Sequence, residues 1–433
     1  MHRGATDPEA SVLAAIDEHQ IVADLQALVR IPSVDGTEAE HEVQRWCADR
    51  LSGLGLSVDH WRIDLADLRA DPGFPGMEVE RDEAWGCVAT LGTTLGAGDA
   101  SPALVLCGHV DVVPPGDLDL WPGNDPFGAH LTDGVMHARG ACDMKGGVAA
   151  ALGAVAAIRR AGITLRRPLA VHTVIGEEDG GIGAFATLRR GHSGEACVIA
   201  EPTAGEIIPA NAGSLTFRLD VAGLGTHGST RTRGVSAIEK FEIVHQALRD
   251  LETKRNTGRD PLFAHLDIAC PLSVGSVRAG DWASSVPDRL VAEGRYGVRL
   301  DESVADAKTE FEAAVMQACA TDPWLREHPV TVTWPGGVFA SGRLPEGDPL
   351  LGRMQDAVVD AGAAGRPRAR GGPYGSDLRQ YAAAGVPTVQ YGPGDIRYAH
   401  APDEHVAIED VVRCARTYAL LALRLCGVAE GSS

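Results

Sequence analysis

Acids and imidazoles stand at five places in this chain where a purely structural role explains them poorly. His109 closes the apolar run 103–108 and is followed two positions later by Asp111. Positions i and i+2 of an extended chain share a face, so the Asp111 carboxylate is expected to reach the His109 ring. A carboxylate holding one ring N–H fixes the tautomer and makes the other nitrogen a better ligand. Asp143 sits in Gly140-Ala141-Cys142-Asp143-Met144-Lys145-Gly146-Gly147, a sharp loop between a strand-like segment and an Ala-rich helix starting near Met144. Glu177 and Glu178 follow the apolar run 169–175 through Gly176. Neighbouring side chains at a strand end point to different faces, so one glutamate can bind metal while the other faces substrate as a base. Glu201 follows Val198-Ile199-Ala200 and precedes Pro202. His400 lies in the loop Tyr398-Ala399-His400-Ala401-Pro402-Asp403-Glu404.

Singly, each has a plainer reading: a core or surface histidine, or a solvated acidic turn. The joint pattern decides otherwise. His109, Asp143, Glu178, Glu201 and His400 all fall at strand-end loops of one sheet, where α/β proteins bind ligands. With few Lys or Arg beside them, they would repel one another unless cations were present. Zinc accepts this mixture of imidazole and carboxylate, and a bridging carboxylate suits a two-metal site that activates water. Asp143 is the expected bridge.

The elements that must position these groups alternate. Helices are expected over 11–29 and 38–54, and 64–86 reads as a surface excursion. Strands follow at 103–108, 169–175 and 196–200, with a helix over 144–161. That alternation predicts an α/β fold with a mostly parallel mixed sheet. From residue 214 the order becomes strand 214–222, helix 234–252, strands 266–277 and 285–299, helix 303–320 and strand 330–334. This is the β-α-β-β-α-β order of a ferredoxin-like α+β domain. Residues 1–212 and 337–433 are thus expected to form a catalytic, metal-binding domain, and 213–336 an inserted lid or dimerisation domain. The chain then resumes with helix 348–361, a Gly-rich loop 371–376, helix 377–384, strand 386–391 and a last helix from about 409.

A formal net charge of −20 without any basic stripe argues against nucleic acid or an anionic membrane as partner. Nine singly placed cysteines, with no C-x-x-C pair, fit free thiols in a reducing compartment. Acids stand near the N-terminus where a secretory apolar region should begin. The longest apolar run, 146–158, is too short and Gly-interrupted to span a bilayer. A soluble, cytoplasmic protein is expected.

His109-Val110-Asp111, the 140–147 stretch, Gly176-Glu177-Glu178, Ala200-Glu201-Pro202-Thr203 and His400-Ala401-Pro402-Asp403-Glu404 together resemble a family. It is that of the dinuclear-zinc amidohydrolases: acetylornithine deacetylase, succinyl-diaminopimelate desuccinylase, carboxypeptidase G and aminoacylase. The resemblance runs in order along nearly the whole chain. It implies two divalent ions, zinc or alternatively cobalt or manganese, bridged by Asp143. His109 and Glu201 would hold one ion, Glu178 and His400 the other, with Glu177 as general base. Glutamate at 201, where peptidase branches commonly carry Asp, leans toward deacylase or carboxypeptidase chemistry. Gly223-Leu224-Gly225-Thr226-His227-Gly228 matches a dinucleotide fingerprint, but no helix opens at Gly228 and the flanking order is ferredoxin-like. The resemblance instead implies that His227 reaches across a homodimer to stabilise the partner's oxyanion. It also implies that Arg299 grips a substrate carboxylate, a surface salt bridge being the plainer reading. Gly375 and Ser376 match a substrate-loop motif, with Tyr374 beside it. Ser284-Ser285-Val286-Pro287 stands where the family often has Asn before Val-Pro.

The implied activity is hydrolysis of an amide in a small N-acyl amino acid or amine. Rivals within the class are deformylation of an aminopyrimidine in thiamin salvage, which 74–80 resembles, and dipeptidase or carboxypeptidase action. A non-catalytic binding protein of the same fold is the rival from outside it. That reading predicts a lost ligand or base, and none is missing.

Overall fold

Strands Leu104–His109 and Leu169–Val174 are buried along their whole length, which continuous apolar runs permit only when both sheet faces are covered. The computed structural model describes residues 7–92 and 101–429, so the stretch before residue 7 read above for a leader lies outside them. The described residues divide into two compact units. The first takes in the chain up to Pro209, Arg343–Arg370 and everything from Asp377 onward. The second comprises Ala210–Gly342 and Gly371–Ser376.

The first unit is built on a mixed sheet. Its middle is parallel: Leu169–Val174, Leu104–His109, Cys197–Ile199 and Thr388–Gln390 lie side by side in that order. The register pairs Leu104 with Leu169 and His109 with Val174. Trp85–Leu91 adds antiparallel to Leu169–Val174, and Ser57–Arg62 adds antiparallel outside it. Helix Gly146–Arg160 is buried from Gly146 to Ile158, and its small residues let neighbours approach closely. A Cβ on Gly147 would stand 2.1 Å from the Ala200 carbonyl oxygen, and one on Gly153 would stand 2.6 Å from Ile21. Its apolar surface faces this core, including helix Ile408–Cys426. The single helix expected over 11–29 is two, Asp7–Ala14 and Glu18–Arg30. Asp17 interrupts them and caps the second by accepting from the Gln20 amide at 3.1 Å.

The second unit carries an antiparallel sheet in the order Leu272–Ala279, Arg289–Val298, Gly213–Ala222, Thr331–Thr333. Gly213–Ala222 alternates buried and half-buried residues, the signature of a strand with one face on a core. Helices Ala237–Arg255 and Val304–Thr321 supply the other side of that core, capped by Ser236 and Ser303. Phe217, Tyr296 and Phe311 meet at its centre, with ring centroids 4.8–5.0 Å apart. This is the ferredoxin-like arrangement.

His172, midway along Leu169–Val174, gives the fold an acid sensitivity. It is buried, its Nδ1 lies 2.8 Å from the Tyr381 hydroxyl, and its Nε2 has no partner. Burial, with His192 nearby, pushes its pKa down from 6.5 to about 3. The folded state therefore resists a proton that the unfolded chain accepts. Stability from this group is intact above pH 6.5 and declines as pH falls toward 3, at about 1.4 kcal/mol per unit. Urea titrations of wild type and His172→Gln should show the difference between them shrinking by about 2 kcal/mol from pH 6.5 to 5. A pH-independent difference would mean that the folded protein charges this ring.

Candidate active site

The parallel strands of the first unit end together, and the chemically capable side chains leave from those ends. His109 is the last residue of its strand. After Val174 the chain turns at Gly176, whose φ of +63° suits glycine, to present Glu177 and Glu178. Glu201 follows Cys197–Ile199 by two residues, and the segment after Thr388–Gln390 leads to His400. Asp143 sits in the tight turn Ala141–Lys145 that opens helix Gly146–Arg160, and its peptide bond to Met144 is cis.

These residues converge. Asp143 Oδ1 lies 3.0 Å from His109 Nε2, and its Oδ2 lies 3.6 Å from His400 Nε2. His400 Nε2 is 3.0 Å from both carboxylate oxygens of Glu178. His109, Asp143 and Glu178 bring ligand atoms within 4.8 Å of one another, as do His109, Glu177 and Glu201. Glu177 is buried, and its Oε1 has no hydrogen-bond partner.

The electrostatics show what this arrangement lacks. Burial raises Glu177 and Glu201 well above the usual carboxylate range, reinforced at Glu177 by Glu201 and Asp377 and at Glu201 by Asp143 and Glu178. Burial and Asp143 raise Glu178 against the pull of His400. Burial opposes a charge on His109, but Asp111, Asp143 and Glu201 outweigh it and lift its pKa well above normal. The bond to Glu178 lifts His400 to about 9. Asp143 alone is held low: burial works to raise it, and the two imidazoles overcome that. Acids and imidazoles thus all gain proton affinity around one carboxylate. Divalent cations satisfy the same demand for positive charge, and imidazole with carboxylate is a donor set such ions accept.

Other buried groups fix this geometry. The His109 Nδ1 bond goes to the Asp111 backbone oxygen at 3.0 Å, not to its carboxylate, which is 3.6 Å away. The Asp111 carboxylate thus comes within ion-pair distance of the ring as expected, but the backbone oxygen takes the hydrogen bond, and Asp111 Oδ2 accepts from the Glu178 amide at 3.2 Å. Glu404 accepts from the Cys142 and Asp143 amides at 3.0 and 3.1 Å and is paired with Arg139. Arg139 also donates to the His400 carbonyl at 3.2 Å, so one buried ion pair holds both the Asp143 turn and the His400 loop. Arg81 binds Asp35, Glu40 and Asp179, the residue after Glu178. It lies within the stretch 64–86 read as a surface excursion, yet it is buried. Only its position among acids hinted at this. Asp377 is buried with one unpartnered oxygen, and burial pushes it up to about 6.

The remaining candidates belong to the second unit. His227 is exposed on Thr226–His227, with its Nδ1 2.7 Å from Ser229 Oγ. Arg299 follows Arg289–Val298 and is engaged by Glu302 and Glu310, each at 3.2 Å. It lines a cavity of about 300 Å3 with Arg255, Phe263 and Leu300. Arg295 is the arginine that holds the 371–376 segment, donating to the Pro373 carbonyl at 2.8 Å. Gly375 is packed against Phe339, which a Cβ would approach to 2.5 Å, and Ser376 is buried.

Residues 105–424 match the model of peptidase family M20/M25/M40. The chain belongs to this family. As an M20 hydrolase it is a metal-dependent amidohydrolase. A deformylase of N-formyl-4-amino-5-aminomethyl-2-methylpyrimidine from Halalkalibacterium halodurans is 25% identical, with 94% of this chain and 95% of that one covered. A succinyl-diaminopimelate desuccinylase from Gluconacetobacter diazotrophicus is 32% identical over 76% of this chain and 83% of its own. The solved dipeptidase of Saccharomyces cerevisiae superimposes with a TM-score of 0.75 at 14% identity, covering 96% and 98% of the two chains, and shares the fold.

The Arg139–Glu404 pair gives the M20 site a direct test. Glu404→Gln keeps the shape but removes the charge, and chelator competition should show divalent-metal affinity weakened by about 10–100-fold. Arg139→Met leaves Glu404 buried and unpaired and should cost about 3–5 kcal/mol in urea denaturation. Unchanged affinity and stability in both variants would remove the pair from the support of the site.

Proposed function

We propose that this M20 enzyme removes a small acyl group, formyl, acetyl or succinyl, from an amine or amino acid. The reading is carried by Asp143, whose two oxygens face His109 and His400 separately, while the buried Glu177 keeps one carboxylate oxygen without a partner. His109 and Glu201 would hold one divalent ion, Glu178 and His400 a second, and Asp143 both. Bound there, two such ions would supply a lowered proton affinity of water and polarisation of the amide carbonyl. Glu177 takes the proton from the attacking water and returns it to the leaving amine. The acid–imidazole donor set, free of thiolate, suits zinc.

Likeness to the deformylase supports a formyl group on an aminopyrimidine, and likeness to the desuccinylase keeps N-succinyl amino acids in view. Nine buried, unpaired cysteines fit a reducing, cytoplasmic setting. In the second unit Trp282 is 75% exposed and Leu224 47%, and a second copy of the chain would cover such side chains in a homodimer. His227 would then serve the partner's site.

Zinc-loaded protein offered N-formyl, N-acetyl and N-succinyl amines alongside dipeptides should hydrolyse one acyl class in preference. Glu177→Gln should keep its metal and fold while turnover falls by about 10²–10⁴-fold or more. Normal turnover in that variant would refute the base. Sedimentation showing only monomer at full activity would refute the cross-subunit role of His227.

A further inference from the structure

A second concentration of imidazole lies apart from the acids, on the small antiparallel sheet of His130–Thr132, Val135–His137 and His405–Ala407. In its register His137 stands directly opposite His130 on one side and His405 on the other. Directly opposed residues project from the same face, with Cβ atoms about 4.5–5.5 Å apart. Three imidazoles therefore form a row across the sheet.

The geometry within the row is that of a chelate. The His137 and His405 ring centroids are 5.3 Å apart with planes at 35°. Two imidazoles on one tetrahedral ion, each nitrogen about 2.0–2.1 Å from it, place their centroids about 5 Å apart. His405 donates Nδ1–H to the Asp403 carbonyl at 2.6 Å, which leaves Nε2 as its lone-pair nitrogen. A backbone tether of this kind is what orients metal-binding histidines. His137 has no hydrogen-bond partner among the described residues, so neither of its nitrogens is committed. Burial and the facing His405 and His130 rings lower its proton affinity against the opposing pull of Asp403, which keeps it a neutral ligand. Both rings are half-buried and open to ions from solvent. Tyr398 packs on His405 at 4.1 Å and limits how far that ring can swing.

The geometry points to a transition-metal site formed by His137 and His405, distinct from the Asp143 centre, for an imidazole-seeking ion such as Cu2+, Ni2+ or Zn2+. Water completes its coordination. Its place in the chain gives it a use. His405 directly follows Glu404, and His137 lies two residues before Arg139. An ion joining them pins together the two strands that lead into the Arg139–Glu404 pair.

The test uses zinc-loaded holoenzyme titrated with Cu2+ and read by electron paramagnetic resonance. Wild type should take up a copper ion whose spectrum shows coupling to imidazole nitrogens, while zinc stays bound. His137→Gln and His405→Gln should each weaken that uptake by at least the roughly 10–100-fold expected for disturbing a ligand. Zinc content should be unchanged in both. Copper uptake that neither substitution alters overturns the site, and so does a wild-type holoenzyme that takes up no imidazole-bound copper.

Discussion

Four carboxylates, Asp143, Glu177, Glu178 and Glu201, share one end of the sheet in the first unit, and their mutual repulsion is the constraint behind everything around them. At about 4 Å a like-charge pair costs about 4 kcal/mol even at an effective dielectric of about 20. Two or three such pairs would consume the roughly 5–15 kcal/mol by which a folded protein outlasts its unfolded chain. The acids therefore either keep protons, as the raised proton affinities of Glu177, Glu178 and Glu201 show, or require compensating positive charge. His109 and His400 supply part of it, and the rest is the demand that divalent ions meet. Chemistry and stability here are one problem: the same crowding that calls for cations gives Glu177 a reason to take a proton from water.

That crowding survives because ordinary ion pairs anchor its edges. Arg139 with Glu404, and Arg81 with Asp35, Glu40 and Asp179, are buried salt bridges. Pairs of this kind add little net stability compared with apolar residues of similar volume. Their value is positional. Glu404 grips the amides before and at Asp143, Arg139 grips the His400 carbonyl, and Asp179 carries the turn that presents Glu178. Asp143 and His400 are thus held through their backbones and Glu178 through its neighbour, so their side chains need not serve as anchors.

The residues of the metal cluster were legible because each stands at the end of a recognisable apolar run, and strand ends of α/β sheets converge. The ferredoxin-like order was legible from the same periodicity, and the strand read over 214–222 is Gly213–Ala222. What escaped had no periodic signal. Ser57–Arg62 is half-buried along its middle with no alternation, and it joins the sheet antiparallel only because Trp85–Leu91 is already there. Arg81 sits in a run of charges that any surface loop would carry, and only tertiary contact buries it. Asp111 brings its carboxylate to within 3.6 Å of the His109 ring as i and i+2 reasoning expects, but nothing in the sequence announced that its backbone oxygen would take the hydrogen bond. The imidazole row across His130, His137 and His405 joins strands of three residues each, too short for a sequence pattern to announce.

The order in which the cluster is assembled has a consequence for how the protein is made. His109, Asp143, Glu177, Glu178 and Glu201 all leave the ribosome before the second unit is synthesised, and His400 only afterwards. At about 5–20 residues per second the interval from Glu201 to His400 lasts about 10–40 s. Through that time the nascent sheet holds its acids without their last imidazole and without Glu404 to grip the Asp143 turn. The C-terminal segment is therefore the latch of the enzyme, and a chain stalled short of it leaves translation with its negative charges uncontained.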